Sequence, residues 1–287
     1  MEILLELFKY ILLGFIQGVT EVLPISSSGH VAFVKQFLSL DVDTNVLFLI
    51  ILNLGSMVAV VYFLRKDVKE LIVDSYRYVF KKVRTKEVNK NYQYIKDIIV
   101  AIIPIAFFGF LLSGAVSSLY DNYTFIAVGI GALATGTILY FVRNSTNANV
   151  NLNLTYKDSV FIGIVQTFAL FPGLSRLGIT TAAGLKRKIS MDSILKFTFL
   201  MYIPISIGSI IQQCFSSENG ALFSNLGVES AIEYLYYLIG FGVSLVTTYF
   251  ALRLVFIWFR RGKLGFFYVY NFVFGFIALL IGLATFR

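Results

Sequence analysis

Six apolar stretches, each long enough to cross the hydrocarbon core of a bilayer as a helix, constrain this chain more than any other feature. They lie at roughly 46–64, 97–117, 123–142, 194–215, 232–252 and 265–285. A helix of about 18 or more apolar residues satisfies all of its backbone polar groups internally, which lipid cannot do for it. With 57% hydrophobic residues, 14% charged residues and a mean hydropathy of +0.80, the chain is too apolar for an ordinary water-soluble domain. The prediction is an all-α integral membrane protein. No charged leader followed by a short apolar core and a small-residue cleavage site opens the sequence, so residues 1–23 are expected to remain in the mature protein.

The net charge of +8 does not call for nucleic acid, because most of the excess sits in the connections between spans. Residues 65–96 carry ten Lys or Arg, whereas 216–231 carries none and has Glu218 and Glu229. Basic connections stay on the cytoplasmic side, so the first is inside and the second outside. The connections at 118–122 with no basic residue, 143–157 with two and 253–263 with four alternate as six spans require. The C-terminus is then outside, and Lys186, Arg187 and Lys188 are inside. Within the long basic connection, Ile72, Val73, Tyr76, Val79, Phe80 and Val83 recur at helical spacing opposite a charged face, the pattern of a helix lying among headgroups. Cys214, the only cysteine, can form neither an intrachain disulfide nor a multi-thiolate metal site and reads as packing.

Residues 1–45 and 158–193 are apolar but broken near the middle by Pro, Gly and Ser, and they read as two re-entrant helical hairpins. Gly14 and Gln17 correspond to Gly163 and Gln166; after a one-residue slip, Pro24 and Ser27 correspond to Pro172 and Ser175, and Phe48 to Phe197. The chain therefore reads as one membrane domain duplicated internally, 1–157 and 158–287, each half a hairpin followed by three spans. Three is odd, so the second half is inverted, and the hairpins enter from opposite faces and meet. Many transporters build an ion or anion site at such a junction of helix ends. From the repeat alone, a secondary transporter or lipid flippase without hydrolytic activity is the competing function.

The broken segments hold Gln17, Thr20, Glu21, Ser26, Ser27, Ser28 and His30 in one half, and Gln166, Ser175, Arg176, Thr180 and Thr181 in the other. An ionised Glu or Arg at membrane depth costs about 2.5–3.5 kcal/mol on insertion scales, so Glu21 and Arg176 each need a partner and could supply one another. Singly, each residue has a plain structural reading. The serines could cap a helix, His30 could be a satisfied interfacial residue, Glu21 could be protonated in the bundle and Arg176 could snorkel. Lys186, Arg187 and Lys188 read as a topology signal rather than a phosphate clamp. As a dense set in apolar surroundings, the hairpin residues point to chemistry.

The stretch 14–30, GFIQGVTEVLPISSSGH, and the stretch 172–180, PGLSRLGIT, resemble the two signatures of the undecaprenyl-diphosphate phosphatase family, also called the bacitracin-resistance protein family. The resemblance continues through NLGSMVAV from Asn53 and the spans that close each half. It implies six spans plus two re-entrant hairpins, and hydrolysis of undecaprenyl diphosphate to undecaprenyl phosphate and inorganic phosphate at the outer side of the bacterial cytoplasmic membrane. It also implies recycling of the lipid carrier for cell-wall synthesis, bacitracin resistance and a divalent cation, magnesium or calcium. The partners are then a polyprenyl diphosphate and membrane lipids, without nucleic acid; the oligomeric state stays open, a homo-oligomer included. Position by position, Gln17 and Glu21 fill the family's Glu/Gln-x-x-x-Glu pattern, Ser27 and His30 fall in its Ser-rich stretch, and Arg176 is the arginine of its Pro-Gly-x-Ser-Arg motif. Leu177 stands where a serine is usual, Asn53 where a glutamine is usual, and Asn271 follows Tyr270 where an arginine is common.

The chemistry of these residues fits the same reaction. Cleaving a lipid diphosphate needs an in-line nucleophile, charge neutralisation and a proton for the leaving group. Arg176 can hold phosphate oxygens bidentately, and backbone N–H groups beside Ser26, Ser27 and Ser28 can hold more. Gln17, Ser175 and Thr180 are further candidate substrate contacts. Ser27 is a reasonable nucleophile if a neighbouring base accepts its proton, and His30, three residues on, shares its helical face. Whether Ser27 or His30 forms the covalent bond stays open. Glu21, with or without Gln17, is the expected oxygen ligand for the cation. Glu21, Ser27, His30 and Arg176 are the expected catalytic residues.

Overall fold

A computed structural model of the chain describes residues 2–38, 46–145, 154–215 and 231–285. The predicted connection at 216–231, the middle of 143–157, the end of the first predicted hairpin at 39–45 and the side chain of Cys214 lie outside the described residues. The elements in chain order are α1 (Glu2–Glu21), α2 (Ser27–Phe37), α3 (Val46–Phe63), α4 (Arg65–Val79), α5 (Lys86–Leu111), α6 (Ser113–Val142), α7 (Tyr156–Gln166), α8 (Arg176–Lys186), α9 (Met191–Phe215), α10 (Ala231–Arg260) and α11 (Gly265–Thr285). A short 3-10 turn, Thr167–Leu170, follows α7. This is an all-α integral membrane protein; among the described residues six helices are long and apolar enough to cross a bilayer, or seven if α3 and α4 form one span across their bend.

Five of the predicted spans are among these six helices; the predicted span at 46–64 is α3, counted only together with α4 across the bend, and α1 is the addition. Ile3–Glu21 qualifies as a span by length and apolarity; at 1.5 Å per residue its 19 residues reach about 28 Å, longer than one arm of a short hairpin. α7 and α8 have 11 residues each and do not reach that far. α3 is apolar apart from Asn53 and Ser56 and bends by 78° at Leu64 into α4. The bend falls where the sequence turns from mostly apolar to amphipathic. Ile72, Tyr76, Val79 and Phe80 of this segment are at least half exposed, an unpartnered apolar face suited to a bilayer surface.

Close helix contacts in lipid depend on small residues, because burial of apolar surface drives nothing there. α1 lies along α10, and a Cβ at Gly14 would stand 2.7 Å from the carbonyl oxygen of Gly240. α7 lies along α5 in the same way, with a Cβ at Gly163 falling 2.6 Å from the oxygen of Ala101. A hydroxyl ladder supplements the packing of α1, α3 and α10. Thr248 donates to the Gly18 carbonyl at 3.0 Å and its hydroxyl lies 3.0 Å from that of Ser56, and Ser244 donates to the Leu52 carbonyl at 2.8 Å. At the ends that the charge pattern assigns to the cytoplasm, ion pairs tie distant elements together: Lys196 to Asp67 at 2.7 Å, Arg187 to Asp158 at 2.6 Å and Arg260 to Asp192 at 2.6 Å. The core runs through α8 and α9, where Phe197, Ile194 and Leu195 are wholly buried.

Candidate active site

The chain breaks between α1 and α2 and between α7 and α8 lie against each other. A Cβ on Gly29 would stand 3.2 Å from Gly173, and one on Gly178 would stand 3.6 Å from Pro24. The first break turns through Ser26 at φ 65°, a conformation that L side chains rarely adopt. The second turns through Gly173 at φ 80°, where a side chain would run into the backbone of Val128 on α6. Two helix starts thereby face one small cavity of about 60 Å³, lined by Glu21, Ser26, Ser27 and Ser28 from one break, Ser175 and Arg176 from the other, and Tyr202 from α9. The starts differ in one respect. Ser175 caps α8 by accepting from the N–H of Gly178 at 3.2 Å, whereas Ser26 makes no side-chain cap on α2. The first-turn N–H groups of α2 are thus left without a side-chain cap, as an anion site requires.

Glu21 ends α1 and faces the start of α2. The Ser27 hydroxyl donates to Glu21 Oε2 at 2.5 Å, and the Gln17 amide donates to the same oxygen at 2.8 Å. Gln17 is one helical turn before Glu21, which is why the i, i+4 spacing joins them. Glu21 therefore fills the place of the base beside Ser27.

His30, expected on Ser27's face as that base, is bound elsewhere. Its Nδ1 lies 2.8 Å from the Ser26 carbonyl and its Nε2 lies 2.8 Å from the Tyr270 hydroxyl. A carbonyl can only accept, so Nδ1 carries the proton and Nε2 accepts from Tyr270. The ring also stacks on Phe274 with centroids 4.0 Å apart and is 6% exposed, and it does not line the cavity. It holds the Ser26 turn from behind.

Among the described residues Glu21 and Arg176 make no ion pair, contrary to the expectation that each would neutralise the other. Both line the cavity, and that space keeps them apart. The Arg176 guanidinium lies over the Tyr202 ring at 5.4 Å, and its Nη1 is buried with no hydrogen-bond partner. A buried guanidinium nitrogen without a protein partner, beside two helix starts, suits an oxyanion. The Tyr202 hydroxyl in turn donates to Asn53 Oδ1 at 2.8 Å.

The other predicted contacts divide. Ser26, Ser28 and Ser175 line the cavity, Ser28 accepting from the Tyr120 hydroxyl at 2.9 Å and the Ser175 N–H donating to Thr135 at 3.0 Å. Thr180 does not line it. Wholly buried behind Arg176, Thr180 donates to the Arg176 carbonyl at 2.8 Å and accepts from Thr198 at 3.0 Å. Of the three departures, Leu177 packs in the core, Asn53 receives Tyr202, and Asn271 donates to the Pro24 carbonyl at 2.9 Å, pinning the first break to α11. Sequence reasoning missed Tyr120 and Tyr202 and gave Tyr270 no role. With 17 tyrosines in the chain, no local pattern singles out these three.

Glu21 is the one carboxylate that lines the cavity, and its Oε2 accepts from the Gln17 amide N–H and the Ser27 hydroxyl. Among the described residues no group of three His, Cys, Asp or Glu side chains could cage a metal. One carboxylate at a phosphate-sized cavity fits magnesium, which commonly takes one or two carboxylates and completes its shell with water and substrate phosphate oxygens.

The family described as Bacitracin resistance protein BacA matches this chain over residues 10–277. An undecaprenyl-diphosphatase of Acholeplasma laidlawii is 41% identical over 212 residues, covering 72% of this chain and 75% of the relative. Undecaprenyl-diphosphatase 1 of Bacillus licheniformis is 34% identical over 282 residues, 96% of this chain and 98% of its own. An undecaprenyl-diphosphatase of Oceanobacillus iheyensis is 31% identical over 277 residues, 94% and 95% of the two chains.

Proposed function

Because the chain belongs to the bacitracin resistance protein family, we propose that its polar cavity is the active site of an undecaprenyl-diphosphate phosphatase. The enzyme hydrolyses undecaprenyl diphosphate to undecaprenyl phosphate and inorganic phosphate, and the family's name carries bacitracin resistance with that activity. The observation that carries the assignment of residues is the Ser27 to Glu21 hydrogen bond beside an unpartnered Arg176 nitrogen.

In this reading the Arg176 guanidinium and the uncapped N–H groups at the start of α2 hold the terminal phosphate. Ser27 Oγ attacks the terminal phosphorus while its proton passes to Glu21. The bond from that phosphorus to the bridging oxygen breaks, and undecaprenyl phosphate leaves with the electron pair. Glu21 passes that proton to the leaving undecaprenyl phosphate and, ionised again, takes a proton from a water that attacks the phosphoserine; inorganic phosphate is released as the Ser27 oxygen takes the proton back from Glu21. Gln17 orients Glu21, and His30 with Tyr270 fixes the turn from which Ser27 springs. Glu21 and the Gln17 amide oxygen would hold a divalent cation, which when bound neutralises charge on the diphosphate.

The same reading puts the protein in the cytoplasmic membrane with the cavity opening outward, the hairpins turning back within the bilayer as parts of the inverted repeat. Support comes from the Tyr120 to Ser28 bond, which ties the cavity to α6 a few residues beyond the uncharged α5–α6 junction. Support for the repeat comes from the equivalent glycines 14 and 163, each meeting the backbone of a helix from the opposite half. The test is phosphate release from undecaprenyl diphosphate by the purified full-length protein, with and without chelator. Turnover abolished by Ser27→Ala is the expected result. Binding of the lipid with no phosphate released by the unaltered protein would favour a carrier instead.

A further inference from the structure

The polar cavity is small, about 60 Å³, and its serines, Glu21 and Arg176 suit a phosphate group rather than a prenyl chain. The chain is covalently joined to the diphosphate, so it must leave the cavity along an apolar path that begins at the cavity wall. A second, larger groove of about 460 Å³ begins there. It runs between α6, from Ala115 to Ala134, and the segment 167–174, and apart from Thr167 its walls are apolar, with Phe168 and Phe171 on one side and Val116 and Leu119 on the other.

Two links join groove to cavity. Leu174, the residue before Ser175 and Arg176, lines both. Tyr120, next to the groove residue Leu119, donates to Ser28 in the cavity. Gly131 keeps the groove's inner end close to the site. It lets α6 lie directly on the backbone of Pro172 and Gly173, where any side chain would collide.

Resting on the phosphatase reading above, we infer that this groove between α6 and the segment 167–174 seats the isoprene units nearest the diphosphate, and so selects a prenyl chain over an acyl chain. The phenylalanine faces suit the flat, unsaturated isoprene unit better than a flexible saturated chain. The continuity of the groove with the cavity places its occupant on the substrate itself rather than on an unattached lipid.

The test uses the full-length protein in phosphatidylglycerol nanodiscs and a farnesyl diphosphate analogue carrying a diazirine in its first isoprene unit. Photolabelling should fall on residues of 115–134 and 167–174, and undecaprenyl diphosphate should suppress it at least fivefold while added phosphatidylglycerol does not. Labelling elsewhere, or equal suppression by both lipids, overturns the inference. A substitution that fills the groove, Ala134→Phe, should raise KM for farnesyl diphosphate roughly tenfold and lower kcat much less; an unchanged KM also overturns it. If the unaltered protein releases no phosphate from either prenyl diphosphate, the phosphatase reading itself has failed, and the two failures are thereby told apart.

Discussion

The Ser27 hydroxyl donates to Glu21 Oε2 across the break between α1 and α2, at 2.5 Å, while His30, in the same helix as Ser27, is bonded to Ser26 and Tyr270 instead. In the proposed reaction the proton acceptor for Ser27 is therefore the carboxylate six residues before it. Glu21→Gln should lower kcat by roughly a hundredfold to ten-thousandfold, the range expected for loss of a general base. His30→Ala should lower it less and reduce thermal stability, since the ring holds a turn. Phosphate-release kinetics and thermal unfolding in detergent check both. A fully active Glu21→Gln beside an inactive but stable His30→Ala would reverse the roles.

Arg176→Lys keeps the charge but loses the planar fork, so it should lower kcat/KM by roughly 10- to 150-fold, the equivalent of one charged hydrogen bond of about 1.5–3 kcal/mol. Steady-state kinetics on undecaprenyl diphosphate check it. Near-normal turnover would make Arg176 a packing residue over Tyr202.

Asn271 is wholly buried and donates to the carbonyls of Pro24 and Phe267 at 2.9 and 2.8 Å. Asn271→Ala leaves the Pro24 carbonyl unpaired and should destabilise the fold by about 1–3 kcal/mol. A lowered melting temperature in detergent is the expected reading. An unchanged one would show that the turn does not depend on α11.

Sidedness can be read from exposed positions on the two sides of α5. Ser117, in the first turns of α6 beside the uncharged α5–α6 junction, and Lys86, at the start of α5 in the basic connection, are both exposed. In a Cys214→Ser background, an impermeant maleimide should label Ser117→Cys in intact cells and Lys86→Cys only after permeabilisation. The reverse pattern would turn the site to the cytoplasm.

The sequence by itself determined the solvent, the secondary structure and most of the polar cluster. Runs of apolar residues and the distribution of Lys and Arg are one-dimensional signals, because a membrane helix satisfies its backbone within one segment and charge retention acts on one loop at a time. Gln17, Glu21 and Ser27 were legible together for the same reason, lying within 11 residues of each other. Tertiary structure decided the partners. Tyr270 reaches His30 across 240 residues, Tyr202 reaches Asn53 across 149, and Asn271 reaches Pro24 across 247. The long-range folding of the chain also brought Arg176 to the cavity without pairing it with Glu21, and put Thr180 behind the cavity rather than in it. A residue's spacing in sequence states which face of its own helix it shares, but the group that a side chain meets is set by which other helix lies there, and in this protein glycine-mediated packing of distant segments makes that choice.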